Sequence, residues 1–216
     1  KYSDLGFYLM RELIEQKTGC PLDEWVDSVF YQPLGATSMG YKPLNEFPES
    51  RIVPTEYDKI FRKQVLQGYV HDQGAAMLGG VSGHAGVFST ANDLAKMMQM
   101  FLNKGHYGGN AYIHPETLQL FSSPLRNPEE NRRGLGFDKP VVTDPETGPA
   151  CVHASPESFG HTGFTGILAW VDPKTDLMVL FLSNRVYPDM DNRKLMKLDT
   201  RTNVQDVFYQ AIMDEK

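Results

Sequence analysis

The chain has 216 residues, 41% hydrophobic and 11% aromatic, and its 21 Lys and Arg are outnumbered by 27 Asp and Glu, giving a formal net charge of -6. A chain of this length buries roughly 70% of its unfolded surface and needs no metal or disulfide staple, and its composition is globular rather than disordered. The acidic balance argues against a phosphate-binding surface, because nucleic-acid binders concentrate Lys and Arg to release counterions.

The first element in chain order is a helix over residues 4–18. Phe7, Leu9, Met10, Leu13 and Ile14 share one broad face and Asp4, Arg11, Glu12 and Glu15 the other; Ser3 or Asp4 supplies the cap and Gly19 closes it. A short second helix follows Pro21 through Trp25 and Val26 to Phe30, ending before the turn-rich PLGATSMGY. Residues 40–75 read as irregular and proline-rich. GGVSGHAGVFST then leads into the clearest helix of the chain, where Thr90 and Asp93 form a capping box and Leu94, Met97, Met98, Phe101 and Leu102 repeat at helical spacing before Lys104-Gly105. Met97, Met98 and Met100 read as core packing rather than as a cofactor box.

HPETLQLFSS predicts a further short helix with Pro115 in its first turn. Residues 123–158 predict long polar loops around a short strand at 134–137. In GFTGILAWVDPKTDLMVLFLSN, two apolar runs joined by Asp-Pro-Lys-Thr-Asp have the pattern of an antiparallel hairpin, and a last helix is expected over 204–213. The longest apolar run, residues 177–182, is far short of the ~20 residues a membrane helix requires. Cys20 and Cys151 lack a partner motif and read as two buried thiols. With no internal repeat, low-complexity tract or linker, residues 1–216 are expected to form one domain.

Two short motifs carry candidate chemistry. Tyr2-Ser3-Asp4 opens the first helix; a phenol has an ordinary pKa of about 10 and acts as a base at neutral pH only where cations or hydrogen bonds favour the phenolate. Taken alone, Tyr2 is a helix-start aromatic. His161-Thr162-Gly163, in SFGHTGFTG, puts a titratable ring, a hydroxyl and bare backbone just before a buried strand, where glycine permits close approach of a ligand's own backbone. Taken alone, it is a loop histidine. Two rival constellations use the other histidines: His71, Asp72, His84 and His153 as metal ligands, and Ser82, His84 and Asp72 as a triad. Neither has a recognised ligand spacing or a nucleophile elbow, and the plainer reading has His71 and His84 ordering loops. GGVSGHAG lacks the Gly-Lys-Ser/Thr ending of a phosphate loop. No cofactor and no metal is expected.

Together, Tyr-Ser-Asp at a helix start and His-Thr-Gly at a strand start resemble the second and third motifs of the serine β-lactamase and D,D-peptidase superfamily, whose first motif is S-x-x-K. YSDLGFYLMRELIEQKTGCPLDEWVDSVFYQPLGATSM, GHAGVFSTANDLAKMMQMF, HPETLQLF and GHTGFTGILAWVDPKTDLMVLFLSNRVYP are similar, in the same order, to segments of its class C-like branch. VHDQGAAMLGGVSGHAG and the tail SNRVYPDMDNRKLMKLDTRTNVQDVFYQAI are similar to a serine-hydrolase module that follows a family-three glycoside hydrolase in some bacterial cell-wall enzymes.

The resemblance implies an α+β fold, with helices packed on a mainly antiparallel sheet, and acyl-enzyme chemistry on cell-wall-derived amides or esters. It implies that Tyr2 takes the proton of a nucleophilic serine and passes it to the leaving group. Asp4 stands where the family more often has asparagine; a carboxylate there can hold a lysine but cannot donate to a substrate carbonyl. His161 stands where β-lactamases of this branch carry lysine and where some D,D-peptidases and esterases carry histidine. Thr162 and Gly163 would line the substrate, and the Phe164 amide matches one of two oxyanion donors.

No serine in the chain has lysine three residues on. With that motif absent and Lys1 first, residues 1–216 are expected to be the C-terminal portion of a single β-lactamase-like domain, inactive alone. The parent is expected to be an extracytoplasmic bacterial hydrolase with a small-molecule or peptidoglycan-fragment substrate and, in one version, a glycoside hydrolase fused upstream. A truncated sheet is expected to expose an edge that promotes self-association. The alternatives are a catalytically dead binding module attached to a cell-wall glycosidase and, third, a metallohydrolase.

Overall fold

A computed structural model describes residues 2–214, which divide into two compact units: the chain through Leu94 together with Asn184–Asn192, and Ala95–Ser183 together with the residues from Arg193 on. In the first unit, α1 (Asp4–Thr18) has the expected limits. Gly19 ends it with a left-handed φ of 68° and an amide bonded to Glu15 O at 2.9 Å. Ser3 holds the cap position with extended backbone, yet its side chain makes no capping bond.

The buried seam of α1 follows the expectation only at Phe7 and Ile14, with Glu12 exposed as expected. Asp4, Phe7, Tyr8, Arg11, Ile14 and Glu15 form the half-buried seam, whereas Leu9, Met10 and Leu13 are exposed, Leu9 by 73%. Polar ends with backbone partners are the reason. Arg11 donates to Leu78 O at 3.3 Å and to Glu15 at 3.0 Å, and Glu15 accepts the Leu22 amide at 2.9 Å, so charged side chains tie the seam to neighbouring loops.

After α2 (Leu22–Val26) the chain makes a wide π-helical turn over Asp27–Tyr31. Residues 40–75, expected to be irregular, contain an antiparallel hairpin of β1 (Pro54–Asp58) and β2 (Gln64–Gln67), with Tyr57 opposite Val65. Its polarity is mixed: Glu56 and Asp58 are buried with Leu66 while Tyr57 and Val65 face out, which hides the strands from a hydropathy reading. Asp58 accepts from the amides of Ile60, Phe61 and Arg62 at 3.1, 2.9 and 3.0 Å and from Arg62 Nε at 2.9 Å. Arg62 then reaches Val70 O and His71 O at 2.6 and 2.7 Å. Residues 184–192 are pinned to this hairpin by Tyr57 N on Pro188 O at 3.0 Å, by Lys59 on Asp189 at 2.6 Å and by Asn184 on Pro54 O.

Burial alone would raise the Asp58 carboxyl, but the Phe61 amide, the Arg62 guanidinium and amide, and the Ile60 amide outweigh it and hold it well below the usual range. A depressed folded pKa stabilises above the unfolded value of about 3.9, and that stability is lost as pH falls through the folded value. Acid titration followed by circular dichroism will therefore show stability falling below about pH 4, and Asp58→Asn will be less stable at neutral pH by about 1–3 kcal/mol but flatter in acid.

Helix α3 (Gln73–Met77) follows, and α4 (Ala91–Leu102) begins in the first unit and continues into the second. Thr90 Oγ1 accepts from Asp93 N at 3.4 Å, as the capping box predicts. The Asp93 carboxylate also accepts from Ser38 N and Oγ at 2.8 and 2.6 Å. Met98 and Met100 are buried, in keeping with core packing.

The second unit continues with a small hairpin, β3 (His106–Tyr107) and β4 (Asn110–Ala111), and with α5 (Pro115–Ser122). The strand expected at 134–137 is a turn: Gly134 N bonds Phe137 O at 3.1 Å, Gly136 takes a φ of 95°, and a single bridge pairs Asp138 with Gly160. Strands β5 (Phe159–Thr162), β6 (Leu168–Asp172) and β7 (Leu177–Phe181) form an antiparallel sheet in that order. The β6–β7 hairpin is the one expected. Trp170, Leu168, Val179 and Ala150 make its core.

Helices α6 (Lys194–Lys197) and α7 (Thr200–Asp214) close the unit, α7 starting earlier than expected. Asp172, wholly buried, accepts from Tyr209 OH at 2.8 Å, Ser155 N and Oγ at 2.9 and 2.6 Å, and Lys174 N at 3.0 Å. Cys151 is buried and Cys20 half-buried, and neither is in a disulfide. No helix among the described residues is long and apolar enough to cross a membrane. Helices with antiparallel sheets make this the α+β class that was expected.

Candidate functional site

Each motif is built within one unit. In the first, Tyr2 is 41% exposed, with its ring centroid 5.6 Å from that of Phe7, and Asp4 lies half-buried in the first turn of α1. The 72–84 loop packs against this turn. Gly83 sits on Phe7, where a Cβ would lie 2.9 Å from the carbonyl oxygen, and at Gly74 a Cβ would collide with the Tyr8 hydroxyl.

Asp72 caps α3 by accepting the Ala75 amide at 2.7 Å. His84 bridges Asp72 Oδ1 and Ser82 Oγ at 2.9 Å each, with Tyr8 edge-on at 4.9 Å. Burial opposes ionisation of Asp72, but the Ala75 amide and His84 outweigh it and lower its pKa. The Tyr8 phenol is pushed up by burial and by the Asp72 and Asp4 carboxylates.

The Ser82, His84 and Asp72 grouping is thus assembled, but not as a nucleophile. Ser82 is 1% exposed, and a triad serine must present its Oγ to a substrate carbonyl. Of the metal grouping drawn from sequence, Asp72 and His84 are brought together while His71 and His153 pair elsewhere. His71 Nε2 lies 3.3 Å from Glu56 Oε1, and His153 pairs with Asp206 at 2.6 Å in the second unit. Instead Asp4, Asp72 and His84 place one ligand atom each within 4.8 Å of the others. Both ring nitrogens of His84 are already engaged, so a cation there would have to displace Ser82 or Asp72.

In the second unit the His161-Thr162 pair ends β5, opposite Ala169 and Leu168, instead of opening a strand as expected, because the chain turns back through Gly163–Ile167 before β6. Gly160 is required just before it, because a Cβ would run into Ala169 O and lie 2.7 Å from Trp170 Cα. His161 Nδ1 faces Thr162 O at 2.8 Å and Nε2 faces the Arg133 guanidinium. A guanidinium only donates, so Nε2 accepts and Nδ1 carries the ring proton toward Thr162 O. Arg133 also pairs with Asp138 at 2.7 Å, and Arg132 pairs with the same carboxylate at 2.8 Å. The turn after the motif is closed by Gly163 N on Ile167 O at 2.8 Å, and Arg201 Nη1 donates to Gly163 O and Ile167 O at 3.3 Å each. The Phe164 side chain is exposed.

Arg133, Asp138 and Arg201 were missed from sequence. Their only signal is charge in a polar segment, without periodicity. Asp138 is buried and balances two guanidiniums, so Asp138→Ala is expected to destabilise the chain by about 3 kcal/mol in urea titration.

Residues 1–202 match the family model described as Beta-lactamase. A protein of Salmonella paratyphi B, provisionally named D-alanyl-D-alanine carboxypeptidase, is 36% identical over 208 residues, which cover 90% of this chain and 47% of that protein. The chain thus spans about half the length of the curated relatives it matches. A β-lactamase from Mycobacterium bovis is similar in structure with a TM-score of 0.63, 20% identity, and coverage of 95% of this chain and 62% of that one. A penicillin-binding protein homologue from Caulobacter crescentus gives 0.55 at 20% identity, covering 82% and 50%. At those identities the likeness speaks for the fold alone. The family match extends through the tyrosine motif of the first unit and the His-Thr-Gly strand of the second, and the chain belongs to the β-lactamase family.

Proposed function

We propose that residues 1–216 are part of a single β-lactamase-like domain in a serine hydrolase that acts outside the cytoplasm on cell-wall-derived amides or small esters, as a D,D-peptidase or esterase. The observation that carries this reading is the 36% identity, over 90% of the chain, to a protein named for carboxypeptidase activity on D-alanyl-D-alanine. In this reading Tyr2 accepts the proton of the attacking serine and returns it to the leaving group. Asp4 holds the ammonium of the motif lysine, Thr162 and Gly163 line the substrate, and the Phe164 amide stabilises the oxyanion. His161, in place of lysine, offers an imidazole rather than a fixed ammonium, which favours peptidase or esterase chemistry over β-lactam hydrolysis. Because residues 1–216 contain no S-x-x-K, the acylated serine lies outside them and they form no acyl-enzyme by themselves.

The test is labelling with a fluorescent penicillin and a fluorophosphonate. Label on the parent but not on the 216-residue chain is expected. Label on neither overturns the hydrolase reading, and label on the short chain overturns the assignment of the nucleophile.

A second reading, a binding module without catalysis attached to a cell-wall glycosidase, draws on Asp4 and His161, both departures from the β-lactamase pattern. Calorimetry with muropeptides that shows binding by the parent without turnover would select it. In either reading the exposed Leu5, Leu9 and Leu13 on α1 and the β7 edge of the sheet favour self-association of the 216-residue chain. Light scattering is expected to show mass rising with concentration, and a monomer throughout would reject that.

A further inference from the structure

The Ser82–His84–Asp72 chain takes no part in the mechanism above, yet two of its three side chains are enclosed. Ser82 and the His84 side chain are almost fully buried. Both ends are anchored: Asp72 to the Ala75 amide, and the Ser82 carbonyl to the Tyr41 hydroxyl at 3.0 Å. An ionised Asp72 can only accept, so His84 Nε2 carries the ring proton and Nδ1 accepts from the Ser82 hydroxyl. A ring held from both sides in this way has one tautomer and one orientation.

The neighbour that this ring faces is the tyrosine motif. An Asp4 carboxylate oxygen lies within 4.8 Å of the ligand atoms of both His84 and Asp72. Between Ser82 and His84, Gly83 rests on the backbone of Phe7, whose ring faces Tyr2. One tripeptide therefore places His84 near Asp4 and Gly83 against Phe7, the ring that Tyr2 faces. At Gly74 and Gly83 there is no room for a side chain, so the fit of the loop against α1 tolerates little displacement.

We propose that Asp72, His84 and Ser82 are positioning residues that hold the first turn of α1, so that the Asp4 carboxylate and the Tyr2 phenol keep a fixed place. The inference rests on the assignment of Tyr2 and Asp4 to the reaction.

Two measurements decide it. Nitrogen NMR of histidine-labelled 216-residue chain is expected to show His84 as the Nε2–H tautomer. Asp4→Asn should shift the His84 ring resonances and Ser82→Ala should mix the tautomers; His84 signals unmoved by Asp4→Asn would overturn the coupling. In the parent, His84→Asn and Asp72→Asn are expected to slow fluorophosphonate acylation about 10–100-fold, the loss expected from a slightly misplaced reacting group. The concentration for half-maximal rate should change less, and Asp72→Glu should recover part of the loss. Wild-type acylation rates in a folded His84→Asn or Ser82→Ala parent would overturn the proposal. A wild-type parent that is never acylated would instead defeat the hydrolase reading, and the NMR result would still decide whether His84 couples Asp4 to Asp72.

Discussion

If Tyr2 is the base of the proposed reaction, Tyr2→Phe in the parent protein is expected to slow acyl-enzyme formation by about 10²–10⁴-fold, the usual contribution of a positioned acid–base group, with no change in melting temperature. The stability half of this expectation follows from exposure. Tyr2 is 41% accessible, and phenylalanine keeps the ring that faces Phe7 at 5.6 Å, so loss of the hydroxyl removes little buried interaction. The rate half follows from the phenol being the group that would exchange the serine proton. Tyr8 serves as an internal control. Its phenol is pushed up by burial and by the Asp72 and Asp4 carboxylates, the wrong direction for a base at neutral pH, so Tyr8→Phe should change the rate far less. Stopped-flow labelling of the two variants separates the cases, and wild-type rates in Tyr2→Phe would remove Tyr2 from the mechanism.

Trp170→Ala should lower the stability of the chain by about 3–5 kcal/mol, the range for truncating a fully buried large side chain. That is a substantial fraction of the roughly 5–15 kcal/mol that separates a folded domain from its unfolded state. Trp170 is 1% exposed at the centre of the β5–β6–β7 sheet, paired with Gly160 on one side and Val179 on the other. The absent side chain at Gly160 is what makes room for it. Trp170→Phe should lose much less, because the ring volume is largely kept and the indole Nε1, buried without a hydrogen-bond partner, is removed. Urea unfolding followed by circular dichroism gives both values; equal losses in the two variants would show that the cavity is not the source.

The helices were legible because their signals are local. α1, α4 and α5 combine apolar spacing with a stop or start residue such as Gly19, Thr90 or Pro115, and the β6–β7 hairpin has two apolar runs around a turn. The β1–β2 hairpin was not legible. Its inward positions include Glu56 and Asp58 beside Leu66, and Asp58 is tolerated there because Arg62 and three loop amides meet it. The packed stripe of α1 was read correctly at Phe7 and Ile14 but not at Leu9, Met10 and Leu13, because which stripe of a helix packs depends on what it meets, and here Arg11 and Glu15 find backbone partners at Leu78 and Leu22.

The sequence by itself determined the family and the α+β class, since these reside in ordered local patterns that survive without knowledge of contacts. Only the tertiary structure decided what surrounds the motif residues. His161 meets Arg133, 28 residues away, and Gly163 O accepts from Arg201, 38 residues away. Such partners are chosen by the folding of distant segments, and a buried charge becomes acceptable only once its counter-charge and amides have been brought to it.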